Sequence, residues 1–272
     1  MDKGKGNINN QSIVVLGAGE SGVGAALLAQ AKGFEVFVSD FGIIKENYKS
    51  ELITSAIAFE EGGHTESKIL AADIVVKSPG IPEKASIVQK IRANDIRIIS
   101  EIEWASKFTE GTIVGITGSN GKTTTTSLTY HILEKAGYDV AVAGNIGKSL
   151  ARVIAEKDYS YYVVEISSFQ LDDLEDFKPH ISIITNITED HLDRYNYNVE
   201  EYIASKLSIT ANQNSTDYCI YCQDDAVTNQ YIETINNPIC VPFSLNNEVE
   251  EGAFIANENI IFQLKKNDLL CR

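Results

Sequence analysis

One stretch, GITGSNGKTTTT at residues 115–126, constrains this chain more than any other feature. An apolar run at 112–116 leads into Thr117-Gly118-Ser119-Asn120-Gly121-Lys122-Thr123-Thr124. A helix-forming segment follows at 127–136, and Gly137 is placed to stop it. Strand, glycine-rich turn and helix in that order call for an α/β layer whose turn closes the carboxyl end of a strand. Backbone N–H groups of such a turn point inward, and the helix N-terminus adds partial positive charge, so the loop cradles phosphate. Lys122 can reach the outer phosphates, and the Thr123 hydroxyl can ligate Mg²⁺. The strict pattern G-x-x-x-x-G-K-[ST] would need glycine where Ile116 stands, so this is a variant loop. A Gly/Ser/Thr-rich surface turn that merely contains a lysine is the rival reading. The strand–turn–helix context favours a nucleoside triphosphate.

The rest of the chain alternates in the same way. Strands are expected at 12–16, 34–39, 72–76 and 97–99, with helices at 23–32 and 84–93, a βαβ rhythm that implies a mostly parallel sheet. Residues 105–112 read as a polar, turn-rich connection, so a boundary near Thr109 divides the chain into units 1–109 and 110–272. Further strands are expected at 140–143, 161–165 and 181–187, and a helix at 199–210. From about Asp217 short strands take over, ending in an expected hairpin, AFIAN–EN–IIFQL. The fold class is therefore α/β, a Rossmann-like first unit followed by a phosphate-loop unit. Because LKKNDLLCR ends the chain without a closing helix, the second unit is expected to be incomplete.

Composition narrows the partners. A net charge of −15, with no basic run beyond pairs such as Lys265-Lys266, disfavours nucleic acid. No apolar run is long enough to span a membrane, and MDKGKGNINNQ lacks the apolar core of a signal peptide, reading instead as a frayed lead-in. Cys219 and Cys222 form C-x-x-C, but on a strand positions i and i+3 face opposite ways. With no second pair of suitable spacing, free thiols in a reducing compartment, the cytoplasm, are expected.

Gly17-Ala18-Gly19-Glu20-Ser21-Gly22 matches G-x-G-x-x-G between a strand and a helix, with Asp40 ending the next strand. NAD is one reading, the diphosphate of a UDP-sugar another, and a tight turn for helix–sheet packing a third. The turn Ser78-Pro79-Gly80-Ile81-Pro82 ends another strand on the face where such sheets bind ligands.

In the second unit Glu165 ends an apolar strand beside the phosphate loop, where a Mg²⁺ ligand belongs, although a solvated strand end gives the same letters. His191 lies just after another apolar strand and is read as the one histidine at a sheet mouth; His64 and His131 read as loop and helix-surface residues. Lys206 falls within the apolar stripe of its helix, between Tyr202 and Val199. It either snorkels to the edge or sits buried with a depressed pKa, and a neutral amine could take up CO₂ as a carbamate. Asn145, in a glycine-flanked turn, is either an αL residue or an amide donor.

Together GITGSNGKTT, AGNIG, VEISSFQLD, TNITEDHLDRY and the Lys206 helix resemble the Mur ligases, over most of the chain from Gly17 to about position 225. SSFQLD with EDHLDRY looks most like the D-glutamate-adding member. The resemblance implies an ATP-dependent amide ligase of peptidoglycan precursor synthesis, a monomer working on small molecules. It implies UDP-N-acetylmuramoyl-L-alanine on Gly19–Gly22, Asp40 and Ser78–Gly80, and ATP phosphates on Gly118–Thr124. It also implies Mg²⁺ at Thr123 and Glu165, and a second ion at His191 and a carbamylated Lys206. Asn145 and Ser167 would touch the muramoyl-peptide or the metal shell, with Lys122, His191 and Lys206 as the catalytic set. Family members continue into an amino-acid-binding domain, so little turnover is expected from these 272 residues alone. A non-catalytic nucleotide-binding fragment and an NAD-dependent oxidoreductase are the alternatives.

Overall fold

The computed structural model describes residues 11–190 and 192–263. The expectations for the N-terminal lead-in, His191, the Lys265-Lys266 pair and Cys271 lie outside the described residues.

The first unit runs β1 (Ser12–Leu16), α1 (Glu20–Ala31), β2 (Glu35–Ser39), α2 (Glu46–Thr54), β3 (Ala58–Glu60), α3 (Glu66–Ile69), β4 (Ile74–Lys77), α4 (Ser86–Ala93), β5 (Arg97–Ser100) and α5 (Glu101–Ser106). Its five strands lie in the order β3-β2-β1-β4-β5, all parallel. Chain order therefore reverses at β1, and the crevice beyond its carboxyl end is where such sheets bind ligands.

The second unit runs β6 (Thr112–Thr117), α6 (Lys122–Lys135), β7 (Val140–Gly144), α7 (Leu150–Glu156), β8 (Tyr161–Glu165), α8 (Ser168–Leu171), β9 (Ile181–Ile184), α9 (Val199–Leu207), β10 (Tyr218–Cys222), α10 (Ala226–Tyr231), β11 (Ile239–Ser244), β12 (Gly252–Ala256) and β13 (Asn259–Gln263). The eight strands lie in the order β13-β12-β11-β10-β9-β6-β8-β7. All pairs are parallel except the β12–β13 hairpin, whose turn residues Asn257 and Glu258 both take positive φ, as a two-residue turn of this hand requires. The strand β6 sits inside the sheet between β8 and β9, so the phosphate loop opens at a switch point.

The expected α/β class and the hairpin stand, while several boundaries move. Residues 105–106 belong to α5, not to a polar connection. Ser100 caps this helix by accepting the Glu103 N–H at 3.3 Å, and Ile102, Trp104 and Ala105 are buried. The strand expected at 181–187 stops at Ile184, and the helix at 199–210 gives way to a 3₁₀ turn over Ser208–Thr210. The short α2, β3 and α3 carry too little periodicity to be read from sequence.

One apolar core runs through both units. Buried on both sides, α1 meets its own sheet on one face and α7 on the other, which is why its sequence, ESGVGAALLAQA, has no polar face. At Gly24 the approach is so close that a Cβ would stand 2.1 Å from Ser149 Oγ. Around this seam Arg152 of α7 donates to Glu20 and Glu51. Farther along, the buried pair Lys77–Asp173 joins the end of β4 to the segment after α8 at 2.9 Å.

Candidate active site at the ends of β6, β8 and β1

The turn between β6 and α6 is fixed from within. Gly118 has φ +141°, and a Cβ there would lie 1.9 Å from Thr185 Oγ1, so both the backbone angle and the space demand glycine. Asn186, just past β9, takes the Ser119 N–H on its carbonyl (2.9 Å) and the Asn120 N–H on Oδ1 (3.0 Å). Its amide and the Thr185 hydroxyl both donate to Asn120 O, at 2.9 and 2.7 Å. Ser119 Oγ donates to Thr188 O at 2.7 Å and lies 2.8 Å from the Tyr202 hydroxyl. The amides of Ser119 and Asn120 are thus engaged by protein. The N–H groups of the first turn of α6, at Lys122, Thr123 and Thr124, have no intrahelical acceptor by helical geometry and are the ones aimed outward.

Two lysines converge on one carbonyl. Lys122 Nζ donates to Gly118 O at 2.8 Å and Ser119 O at 2.9 Å, and Lys206 Nζ donates to Gly118 O at 2.8 Å. Lys206 is buried, only 2% exposed, with its ammonium position 4.6 Å above the Tyr202 ring. It does not snorkel. Burial pushes its amine down from 10.5 to about 7, the neighbouring Lys122 adds to the drop, and Asp190 opposes it.

At the end of β8 the buried carboxylate of Glu165 accepts from two sides. The Thr123 hydroxyl donates to Oε2 at 2.8 Å and Asn145 Nδ2 to Oε1 at 2.8 Å. Asn145 therefore acts as an amide donor; the positive φ angles of its turn fall on Gly144 and Gly147 instead. A hydroxyl and a carboxylate side by side at a helix N-terminus form a hard-oxygen donor set that fits Mg²⁺. Ser167 donates its hydroxyl and its N–H to Gln170 Oε1, both at 3.0 Å, closing a cap on α8.

In the first unit a cavity of about 550 Å³ opens at the carboxyl end of β1, lined in part by Gly17, Asp40, Phe41, His64, Gly80 and Pro82. Asp40 accepts the Ala18 N–H at 2.6 Å and the Gly42 N–H at 2.8 Å, so its carboxylate braces the glycine turn. His64, read from sequence as a plain loop residue, is half-buried in this cavity wall and hydrogen-bonded to Ser39 Oγ at 2.7 Å. A histidine thus stands at the mouth of the first sheet, against the expectation, and burial lowers its imidazole pKa. The Glu20 side chain turns away from the cavity to accept from Ser149 N (3.1 Å) and Arg152 Nε (2.7 Å), drawn by that cation across the seam. Of the turn after β4, Gly80 lines the cavity while Ser78 Oγ donates to Gly17 O at 3.4 Å.

The Mur ligase middle-domain family model covers residues 116–269, and the MurD N-terminal-domain model covers residues 12–87. The chain belongs to the Mur ligases. The UDP-N-acetylmuramoylalanine--D-glutamate ligase of Christiangramia forsetii is 51% identical to it over 254 residues, 92% of this chain and 57% of that protein. The like-named ligase of Porphyromonas gingivalis strain W83 is 52% identical over 248 residues, 90% of this chain and 55% of that protein. The chain spans less than two thirds of the length of these curated relatives. Among solved structures, the UDP-N-acetylmuramate:L-alanyl-gamma-D-glutamyl-meso-diaminopimelate ligase from Neisseria meningitides shares the fold with a TM-score of 0.64 at 19% identity, over 93% of this chain and 84% of that one. MurC from Thermotoga maritima does so with a TM-score of 0.55 at 21% identity, over 87% and 53% of the two chains.

Sequence reasoning about this Mur ligase chain missed the residues that hold the loop rather than those that face outward. Thr185 and Asn186 fell inside the strand expected at 181–187, which in fact stops at Ile184, and Thr188 was legible only as a polar letter after it. Tyr202 offered a better signal, since it lies one helical turn before Lys206 on the same buried face.

Proposed function

We propose that this chain forms the nucleotide-sugar-binding and ATP-binding parts of a ligase that joins D-glutamate to UDP-N-acetylmuramoyl-L-alanine in peptidoglycan precursor synthesis. The observation that carries the reading is the Thr123–Glu165–Asn145 chain of hydrogen bonds beside the outward-facing first turn of α6. A triphosphate seated on that turn would meet the Lys122 ammonium and the amides of Lys122, Thr123 and Thr124. A carboxylate oxygen of the alanyl group would attack the γ-phosphorus while the bond to the ADP oxygen breaks, and the D-glutamate amine would then displace phosphate from the acyl carbon. The protein's task is to orient the reactants and oppose negative charge on the transferred group. Thr123 and Glu165 would hold Mg²⁺, with Asn145 fixing the carboxylate, and the ion would offset charge on the phosphoryl oxygens. A second ion is assigned to Lys206 as its carbamate, together with His191.

The UDP moiety is assigned to the cavity at Gly17, Asp40 and Gly80, with the Gly19–Gly22 helix start facing the diphosphate. The match of residues 12–87 to the MurD N-terminal-domain model favours this over NAD. Free Cys219, Cys222 and Cys240 suit the reducing cytoplasm, and no described helix is long and apolar enough to cross a membrane. Calorimetric titration with UDP-N-acetylmuramoyl-L-alanine, Mg²⁺·ATP and NAD tests the reading. The first two are expected to bind and NAD not; binding of NAD alone would replace the ligase with an oxidoreductase.

A further inference from the structure

Arg194 is the residue through which the second unit grips the cavity of the first. Its Nη2 donates to Pro79 O at 3.0 Å and its Nη1 to Gly80 O at 3.4 Å, two carbonyls of the turn that follows β4. The guanidinium carbon lies 4.2 Å from the centre of the Phe169 ring, on α8, directly beyond Glu165 and Ser167. Phe169 in turn stacks on Tyr195, with ring centres 6.1 Å apart, and the Tyr195 hydroxyl reaches Asp172 at 3.3 Å and Ser205 of α9 at 3.2 Å. A planar five-donor fork that stacks on an aromatic face is suited to this work, and a lysine is not equivalent.

Arg194 takes the Pro79 and Gly80 carbonyls, while Gly80, Ile81 and Pro82 line the cavity. Six residues before Arg194, Thr188 exchanges hydrogen bonds with Ser119 of the phosphate loop, at 2.7 Å from the hydroxyl and 2.9 Å to it. One short segment therefore touches the phosphate loop at one end and the cavity wall at the other.

We propose that Arg194 is a positioning residue: by fixing the Pro79–Gly80 carbonyls it sets the shape of the nucleotide-sugar cavity and makes that shape responsive to the ATP loop. The inference rests on the assignment of the cavity to the UDP-linked substrate and of the loop to ATP. A preformed wall lowers the ordering cost of binding, and a shared segment makes the two ligands reciprocal effectors. Arg194 itself contacts no reacting atom.

The test is titration of the 272-residue chain with UDP-N-acetylmuramoyl-L-alanine, with and without Mg²⁺ and a non-hydrolysable ATP analogue, for the wild type, Arg194→Ala and Arg194→Lys. In the wild type the analogue is expected to raise affinity for the UDP-linked ligand. Arg194→Ala should lower that affinity about tenfold, the scale of a charged hydrogen-bonding group, and abolish the coupling. Affinity for the analogue alone should stay within about twofold, because no first-turn amide is touched. Arg194→Lys, which keeps a charge and is the milder change for folding, should restore part of the affinity but not the coupling. Wild-type affinity and coupling in Arg194→Ala would overturn the proposal, as would an equal loss of analogue binding or an uncoupled wild type. A wild type that binds the analogue but no UDP-linked ligand would instead overturn the cavity assignment beneath it.

Discussion

The Thr123 hydroxyl donates to Glu165 Oε2 across 2.8 Å, joining the first turn of α6 to the end of β8 where the proposed Mg²⁺·ATP site lies. Removing either partner should therefore be read through the metal. Thr123→Val and Glu165→Gln are each expected to weaken Mg²⁺-dependent ATP binding by about 10–100-fold, the range for altered metal ligands and their supports. Nucleotide binding in excess chelator should change little, since the first-turn amides remain. Asn145→Ala, which only releases the carboxylate, should fall between these variants and the wild type. Equal loss with and without Mg²⁺ would assign the pair to loop packing instead.

Lys206 gives the molecule a pH signature. Its folded pKa of about 7 lies below the ordinary 10.5, chiefly through burial, so between those values the unfolded chain holds a proton that the folded chain has released. Stability must then rise with pH across this window, with the burial penalty fully present below about pH 7 and gone above 10.5. In CO₂-free buffer, the unfolding free energy of the wild type from denaturant titration should improve relative to Lys206→Met by up to about 1.4 kcal/mol per pH unit. A flat difference curve between pH 7.5 and 9.5 would mean the amine stays charged where it is. With bicarbonate present, the native intact mass should gain one CO₂ in the wild type and none in Lys206→Met.

The seam between the units depends on one missing methyl group. A Cβ on Gly24 would press on Ser149 Oγ at 2.1 Å and on Arg152 at 3.1 Å, and Ser149 is itself the N-cap of α7. Gly24→Ala is expected to cost about 1–3 kcal/mol by overpacking, despite the better helix propensity of alanine. Urea unfolding would check this, and a stabilised variant would show that α1 and α7 can slide apart freely.

Much of the fold was legible because periodicity is local. The run at 112–116 followed by GSNGKT carries strand, turn and helix in one window, and the hairpin near the chain's end was legible in the same way, although its two-residue turn falls at Asn257-Glu258, one position before the expected Glu258-Asn259. What escaped depends on contacts between distant residues. The partner of Glu20 is Arg152, more than a hundred positions away, and nothing in GAGESG tells that carboxylate to leave the cavity. Likewise His64 enters the cavity wall only because β3 lies beside β2 and places Ser39 within reach. The burial of Lys206 was half-visible. Its helical stripe put it inward, but the Gly118 carbonyl that makes this tolerable belongs to another element.

The buried ion pair between Lys77 and Asp173 supplies the last test, because it separates attraction from desolvation. Both side chains are about 95% buried, with Lys77 also within 3.3 Å of Ile81 O and Arg92 also reaching Asp173. Breaking one side leaves an uncompensated charge: Lys77→Met should destabilise by about 3–5 kcal/mol, though Arg92 still shields Asp173 in part. Replacing both, Lys77→Met with Asp173→Leu, removes the cost of burying two charges and should recover most of that loss. Because Lys77 directly precedes the Ser78–Pro82 turn, the double variant should fold yet bind the UDP-linked ligand less tightly, its turn having lost an anchor. Thermal unfolding measured beside ligand titration distinguishes the two effects. A double variant as unstable as the single one would place the worth of this pair in charge attraction, against the expectation from desolvation.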